Sequence, residues 1–512
     1  MIRIILSERD FDYEIQALVN SFFPGQISSV VIQGEEKEQV VSEITIGISM
    51  FQKEILTWYE IGESREEKIC LVSGEQDFHK HEGKTAHPYR TYYKNQLKKI
   101  VFQLLKGIRQ EELPEGIKHS VPVWGTMTGV RPAKIPMGEL LAGKSQESIK
   151  ENLLEEYQCS EKKAELCIQV AAKEAKLLEE AEYQQGYSLY VGIPFCPTTC
   201  LYCSFTSYPL SRFEHLVEDY LAALKKELEY CGKLYQGKKL TSIYIGGGTP
   251  TTLTAEQLKG LIQWIKEYFP VEDAYEFTVE AGRPDSITLE KLQALRDAGV
   301  ERISVNPQTM QDKTLEIIGR KHTVAQTKEV FQMARNAGFT NINMDLIIGL
   351  PGETVEDFKD SLSQIRELNP DSLTIHSLVV KRASKLREIM DDCGDILEVE
   401  RAQRMEKMLE LGEAFAEENG YLPYYMYRQK NSAGYAGSSG QENIGYAREG
   451  KECLYNILIM EEKQTILAVG AGASTKLYDA EKNMVSRVEN VKSVTDYIER
   501  IDEMLERKNF LK

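Results

Sequence analysis

The sequence predicts an α/β protein built around a partial (βα)6 TIM-like barrel, with an N-terminal α+β domain and a C-terminal α+β extension. From Ser188 onward, six short β-rich segments each precede a longer amphipathic segment, an alternation typical of a parallel sheet. The chain has 512 residues, more than one hydrophobic core usually serves, so two or three domains are expected. Apolar residues make up 42% of the chain, which is enough to form those cores.

The first domain is predicted over residues 1–140 and has no assigned role, since no catalytic constellation is found there. Short apolar runs with β-forming residues predict strands, and one longer periodic run predicts a helix. The strands are Ile2–Leu6, Ser29–Gln33 and Val40–Ile48, and the helix is Tyr92–Gly107. A charge-rich helical connector is predicted over residues 141–185.

The barrel is predicted over residues 186–394. Its six strands are Ser188–Ile193, Ser242–Gly246, Glu276–Glu280, Arg302–Val305, Ile342–Ile347 and Ser372–His376. Thr254 and Thr323 each precede a Gln by three residues, the capping-box spacing that marks a helix start, and Thr354 leads into another helix. Active sites on such barrels gather at the carboxyl ends of the strands, so the residues that follow each strand are the first candidates.

The C-terminal extension is predicted over residues 395–512. It contains one long helix, a Tyr- and Gly-rich stretch, and predicted strands at Leu454–Met460 and Thr465–Val469.

Charge and composition limit the classes of function. The net charge of −17 argues against a nucleic-acid-binding protein, because such proteins need an excess of Lys and Arg to neutralise phosphates. No apolar run approaches the length that spans a bilayer, and the N-terminus lacks a signal-peptide core. Six of the nine cysteines are scattered without pairing-like spacing, which predicts a reducing, cytoplasmic location rather than a disulfide framework.

The other three cysteines lie together, directly after the first predicted barrel strand. Cys196, Cys200 and Cys203 have C-x3-C-x2-C spacing. Structural zinc normally takes four ligands, and no second cysteine pair or nearby histidine completes such a set. Three thiolates fit a 4Fe-4S cluster, in which one iron keeps a free position for a cofactor. The alternative is three ordinary loop thiols.

These residues carry a resemblance to a known family. The three cysteines resemble the radical S-adenosylmethionine (SAM) signature, and Tyr190-Val-Gly-Ile-Pro-Phe-Cys196 resembles the oxygen-independent coproporphyrinogen III oxidase-like family, HemZ type. Gly246-Gly-Gly-Thr-Pro250 resembles the glycine motif that holds the methionine amino group of SAM. The resemblance implies a radical SAM barrel, a 4Fe-4S cluster and SAM as cofactors, and catalytic roles for Tyr190 and Glu280. It also implies SAM contacts from Gly246, Gly247, Gly248, Thr249, Glu280, Gln308, Arg320, Asp345 and Ile347.

The implied activity is that of an oxygen-independent coproporphyrinogen III dehydrogenase. A 5′-deoxyadenosyl radical derived from SAM takes hydrogen from a propionate β-carbon, carbon dioxide leaves, and loss of a final electron forms a vinyl group. The implied partners are a tetrapyrrole substrate and an electron donor such as flavodoxin or ferredoxin. The resemblance also implies that the C-terminal extension, residues 395–512, covers the substrate. Arg and Lys bind carboxylates well, although each could equally be a solvated surface group. The candidate propionate partners are Lys381, Arg382, Arg428 and Lys430.

Two positions differ from the best-characterised members of the family. These members have a His at the position of Gly192 and a fourth Cys at the position of Phe205. Neither residue is one of the three ligands, so cluster and SAM binding are expected to persist. The differences leave two alternative functions: a haem-binding chaperone, whose members also have Phe after the motif, and a radical SAM methyltransferase acting on a tetrapyrrole.

Overall fold

The computed structural model describes residues 1–35, 42–73, 79, 81–82, 85–86, 88–203, 207–379, 386, 398–429 and 442–511. The chain divides into two compact units. One contains Met1–Gln169 together with Arg428 and Glu442, and the other contains most of the described chain from Val170 onward.

The described strands are β1 Ile2–Leu6, β2 Ser28–Ile32, β3 Ile44–Met50, β4 Glu54–Ile61, β5 Ser64–Leu71, β6 His81–Glu82, β7 Thr85–Ala86, β8 Gly186–Ile193, β9 Phe195–Cys196, β10 Tyr208–Pro209, β11 Lys239–Gly247, β12 Glu276–Gly282, β13 Arg302–Val305, β14 Ile342–Ile348, β15 Ser372–Ser377, β16 Leu422–Arg428, β17 Glu442–Ala447, β18 Thr465–Val469, β19 Ser474–Asp479 and β20 Met484–Glu489. The described α-helices are α1 Asp12–Phe22, α2 Pro88–Lys106, α3 Lys134–Leu141, α4 Gln146–Glu155, α5 Glu161–Glu180, α6 Leu210–Phe213, α7 Val217–Leu234, α8 Ala255–Tyr268, α9 Leu289–Asp297, α10 Asp312–Ile317, α11 Val324–Asn336, α12 Val355–Leu368, α13 Glu398–Glu418, α14 Leu454–Glu461, α15 Val494–Glu499 and α16 Ile501–Arg507.

The first unit is built on a five-stranded sheet in the order β2-β1-β3-β4-β5. Strand β1 is parallel to both its neighbours, and β3, β4 and β5 follow as antiparallel hairpins. Ile2, Ile4 and Leu6 of β1 are fully buried and alternate with half-buried residues, the period-two pattern of a strand with one covered face. This unit is therefore α+β, as predicted.

The second unit contains the barrel sheet. Strands β8, β11, β12, β13, β14 and β15 are parallel and lie side by side in chain order, which confirms the six predicted βα units. The sheet continues at both edges. Beyond β15 lie antiparallel β17 and then β16, and beyond β8 lie parallel β18 and then antiparallel β19 and β20. The eleven strands form an open sheet with its parallel strands at the centre.

The barrel helices begin where their sequences predict. The side chains of Thr254, Thr323 and Thr354 each accept the backbone N–H three residues on, and the side chain of the residue at that position accepts the backbone N–H of the Thr. These capping boxes satisfy backbone N–H groups that a helix start leaves without partners. The apolar side chains Leu258, Leu261, Ile262 and Ile265 of α8, and Phe358, Leu362 and Ile365 of α12, are buried.

One predicted strand is wrong. Residues 454–460 were expected to be a strand, but the chain forms helix α14 there, Leu454–Glu461. A short apolar run does not distinguish a strand from a buried helix. The deciding contact is distant in sequence: the Glu276 carboxylate accepts the N–H of Leu454 at 2.6 Å and that of Tyr455 at 3.4 Å. A carboxylate at this position stabilises a helix N-terminus.

Across the described residues, no helix combines the length and the apolar character that crossing a bilayer requires.

Candidate functional site

The three cysteines lie in the loop that follows β8. Cys196 is buried in β9, which pairs in parallel with β10 on the other side of the loop. Cys200 and Cys203 are half-buried, and the Cys203 N–H donates to the Cys200 carbonyl at 3.1 Å. The Thr249 hydroxyl donates to Cys196 Sγ at 3.6 Å. The three expected cluster ligands are thus held at the carboxyl end of the first barrel strand.

The glycine run at the end of β11 lies directly against this loop. A Cβ atom on Gly248 would lie 2.9 Å from Cys196 Sγ and 2.6 Å from the Phe195 carbonyl oxygen, closer than real side chains come. Gly247 has φ +109°, a backbone conformation that favours glycine. A larger residue at either position would push the backbone away from the loop. The glycine cradle and the sulfur donors therefore fit a cluster with a cofactor beside it.

Glu280 faces the glycine run from β12. The Tyr244 hydroxyl donates to Glu280 Oε1 at 2.5 Å, and the Gly247 N–H also donates to this carboxyl. Burial raises the pKa of Glu280 to about 7, with the nearby Asp345 carboxylate adding to the rise and the two donors opposing it. At neutral pH the carboxyl can hold or release a proton.

Tyr190, the other predicted catalytic residue, lies in an aromatic stack inside the barrel. Its ring stacks with those of Tyr244 and Tyr455 at centroid distances of 6.3 and 6.1 Å, and the latter two rings are 4.3 Å apart. The Tyr190 hydroxyl would lie 3.4 Å from a Cβ on Gly247. Tyr190, Tyr244 and Glu280 therefore border the glycine run together.

Asp345 lies at the carboxyl half of β14, on the same edge of the sheet. Asn343 Nδ2 donates to Asp345 Oδ1 at 2.7 Å, and His376 Nε2 lies 3.9 Å from the same oxygen. The His376 Nδ1 atom is 3.1 Å from Asn443 Oδ1, which also accepts the Ser377 N–H. Because that oxygen is an acceptor, Nδ1 of His376 carries the hydrogen and Nε2 faces the carboxylate.

Gln308, Ile347 and Arg320 complete the set of predicted SAM positions. Gln308 has φ +71°, its N–H donates to the Asp345 carbonyl at 2.9 Å, and its carbonyl accepts the Ile347 N–H at 2.8 Å. Arg320 is buried and donates to the Asn306 carbonyl at 2.6 Å and to the Tyr202 hydroxyl at 3.2 Å. Arg320 therefore links the cysteine loop to the end of β13.

Of the four predicted substrate partners, Arg428 alone lies among the described residues. Lys381, Arg382 and Lys430 lie outside the described residues, as does Phe205. The guanidinium of Arg428 belongs to the first unit, where it donates to the Met127 carbonyl at 2.5 Å and lies over the Trp124 ring, 5.1 Å from its centroid. A propionate-binding role for these four residues stays a prediction.

Three neighbours of the site were not predicted: Tyr244, His376 and Arg283. Tyr244 lies two residues before Gly246 on the same strand, so side-chain alternation puts both on one face and offered a usable signal. His376 likewise ends a predicted strand. Arg283 follows β12 and reaches the cysteine loop across the sheet edge, and no spacing along the chain indicates that contact.

The family model of the radical SAM superfamily matches residues 190–365. The chain is 40% identical over 389 residues to the oxygen-independent coproporphyrinogen-III oxidase-like protein HemZ of Bacillus subtilis, covering 75% of this chain and 76% of that protein. It is 33% identical to the heme chaperone HemW of the same organism, covering 62% and 76%. It is 34% identical to the oxygen-independent coproporphyrinogen III oxidase of Escherichia coli, covering 40% and 44%.

Proposed function

Because the chain belongs to the radical SAM superfamily, in the group of oxygen-independent coproporphyrinogen III oxidase-like proteins, we propose that it is an oxygen-independent coproporphyrinogen III dehydrogenase. In this reaction each of two propionates loses a hydrogen atom to a 5′-deoxyadenosyl radical, carbon dioxide, and one electron to an electron acceptor, and becomes a vinyl group. The product is protoporphyrinogen IX for haem synthesis in the cytoplasm. The observation that carries the proposal is the grouping of three cysteines, a glycine cradle and the Glu280 and Asp345 carboxyls at the carboxyl edge of the parallel strands.

The cofactors of this family are a 4Fe-4S cluster and SAM. Bound together, they supply a 5′-deoxyadenosyl radical that removes hydrogen from an unactivated carbon. We assign Cys196, Cys200 and Cys203 to the cluster. We assign to SAM the glycine run with Thr249, and Glu280, Gln308, Arg320, Asp345 and Ile347.

The chemistry of these side chains supports their assignment. A half-buried carboxylate such as ionised Glu280 accepts hydrogen bonds from an ammonium group, and the buried Arg320 guanidinium suits a carboxylate. The Asp345 carboxylate suits ribose hydroxyls.

The direct test is anaerobic turnover by the reconstituted protein. Coproporphyrinogen III, SAM and a reductant such as reduced flavodoxin, ferredoxin or dithionite are incubated with it, and protoporphyrinogen and 5′-deoxyadenosine are measured. We expect both products, and neither with Cys196→Ala, which lacks a cluster ligand. Cleavage of SAM without any protoporphyrinogen would reject the dehydrogenase.

A haem-binding chaperone is the second candidate. Two observations favour it: the similarity to HemW over 62% of the chain, and Phe205 two residues after the third cysteine. The same preparation distinguishes it. A chaperone would take up haem stoichiometrically and transfer it to an apo-haemoprotein, with no turnover of the porphyrinogen.

A further inference from the structure

Arg283 makes a dense set of contacts beside the cysteine loop. It follows β12 directly and is only 3% exposed. Its Nη1 donates to the Thr198 hydroxyl at 2.6 Å and to the Thr198 carbonyl at 3.0 Å, and lies 3.8 Å from Cys200 Sγ, within the range of an N–H to sulfur hydrogen bond. One cation thus bridges two residues of the loop, including an expected cluster ligand.

The other side of the guanidinium is neutralised by one carboxylate. Arg283 Nε donates to Asp285 Oδ1 at 2.9 Å, and Nη2 donates to Asp285 Oδ2 at 2.6 Å. This bidentate pair fixes the plane of the guanidinium and directs Nη1 at the loop. Two residues before Arg283, the register of β12 with β13 shifts, and Gly282 has φ +71°, which turns the chain toward the cysteines.

We propose that Arg283 and Asp285 form a charge pair that sets the reduction potential of the 4Fe-4S cluster through the Cys200 sulfur. The potentials of such clusters depend on hydrogen bonds to their sulfurs and on nearby charge. Reduction adds one electron to the cluster and its thiolates, so a donor with positive charge at Cys200 favours the reduced form. The Asp285 carboxylate acts in the opposite sense.

This inference rests on the three cysteines as cluster ligands and not on which tetrapyrrole reaction follows. It predicts opposite effects for the two members of the pair. Arg283→Gln removes the charged donor and leaves the Asp285 carboxylate, so the potential falls. Asp285→Asn removes negative charge and keeps the donor, so the potential rises. A residue that only supports the fold would not give shifts of opposite sign.

The experiment is a redox titration of the reconstituted, SAM-free protein, with the reduced cluster followed by electron paramagnetic resonance. For each variant we expect a change of about tenfold in the ratio of reduced to oxidised cluster at a fixed potential, which is about 59 mV for a one-electron couple. Arg283→Lys keeps the charge but not the planar fork, so its midpoint should lie between those of Arg283→Gln and the unaltered protein.

Arg366→Gln is the matched control. Arg366 is an arginine of the same unit that pairs with a carboxylate, Glu418, but its side chain is 54% exposed on α12. Its replacement should leave the midpoint unchanged. The iron content of each variant tests separately whether the three cysteines hold the cluster. If Arg283→Gln does not bind iron, the midpoint potentials of Asp285→Asn and Arg283→Lys test the charge pair. Midpoints that do not move, or that move in the same direction for Arg283→Gln and Asp285→Asn, would overturn the proposal.

Discussion

Replacing Tyr244 with Phe should change the number of protons released when SAM binds. The substitution keeps the ring, which stacks 4.3 Å from that of Tyr455, and removes the hydroxyl that donates to Glu280 Oε1 at 2.5 Å. If ionised Glu280 accepts a bond from the SAM ammonium group, binding selects the ionised form. Any proton that Glu280 holds is then released.

The size of the effect follows from the pKa of Glu280. With that pKa at about 7, close to half of the protein holds the proton at pH 7, so SAM binding should release about 0.5 proton per chain. A hydrogen bond to a charged group contributes about 1.5–3 kcal/mol, and one pKa unit corresponds to about 1.36 kcal/mol. Losing the Tyr244 hydroxyl should therefore raise the pKa of Glu280 to at least about 8 and the release to about 0.9 proton.

Calorimetry in buffers of different ionisation enthalpy measures this proton release. The direction of the change in proton release follows from the pKa. Burial already raises the pKa of Glu280 above the usual value for Glu, and removing a donor to its carboxylate raises that pKa further. More Glu280 is then protonated at pH 7 before SAM binds, so more protons are released on binding. Tyr455→Phe is the control, because it removes a hydroxyl of the same stack without a hydrogen bond to Glu280 among the described contacts. The prediction is refuted if Tyr244→Phe releases as many protons on SAM binding as the unaltered protein, or fewer.

Three further predictions concern the cluster loop and its support. Cys196→Ala should lose the cluster, seen as loss of bound iron and visible absorbance, whereas Cys231→Ala, at a buried helix position, should keep both. Gly248→Ala should lower cluster occupancy several-fold, because its Cβ would press on the loop at 2.6 Å; normal iron content would contradict this. Glu227→Gln should lower the free energy of unfolding by about 3–5 kcal/mol in a urea titration, because it leaves Lys508 charged, fully buried and without its carboxylate. A decrease in the free energy of unfolding of less than about 1 kcal/mol would contradict this prediction, because it would show that the Lys508 ammonium does not depend on the Glu227 carboxylate.

Regular patterns explain what could be predicted from the sequence. The six parallel strands were located because each is a short β-rich run before an amphipathic helix, and Arg302–Val305 has the predicted bounds. The roles of Glu280 and Asp345 were predicted from the family resemblance, and Glu280 also ends a predicted strand, where barrel sites form.

Contacts between distant segments explain what could not be predicted. Helix α14 was predicted as a strand because its run is short and apolar, and its N-terminus is set by Glu276, 178 residues earlier. Arg283 lies 83 residues from Cys200, and although it follows a predicted strand, no local pattern indicates its contact with that cysteine. Contacts such as those of Glu276 with α14 and of Arg283 with Cys200 form only in the tertiary fold. Hydrophobic periodicity in the sequence indicates only the local secondary structure.

The position of β18 has a consequence for synthesis of the protein. This strand pairs in parallel with β8, the strand that leads into the cysteine loop, and Gln464 beside it accepts a hydrogen bond from Ser188, 276 residues earlier. On the ribosome, β8 therefore keeps one unpaired edge until the chain has been synthesised past Val469. The strand that leads into the cysteine loop gains this neighbour more than 260 residues after its own synthesis, so the loop has a long interval in which it lacks its final support.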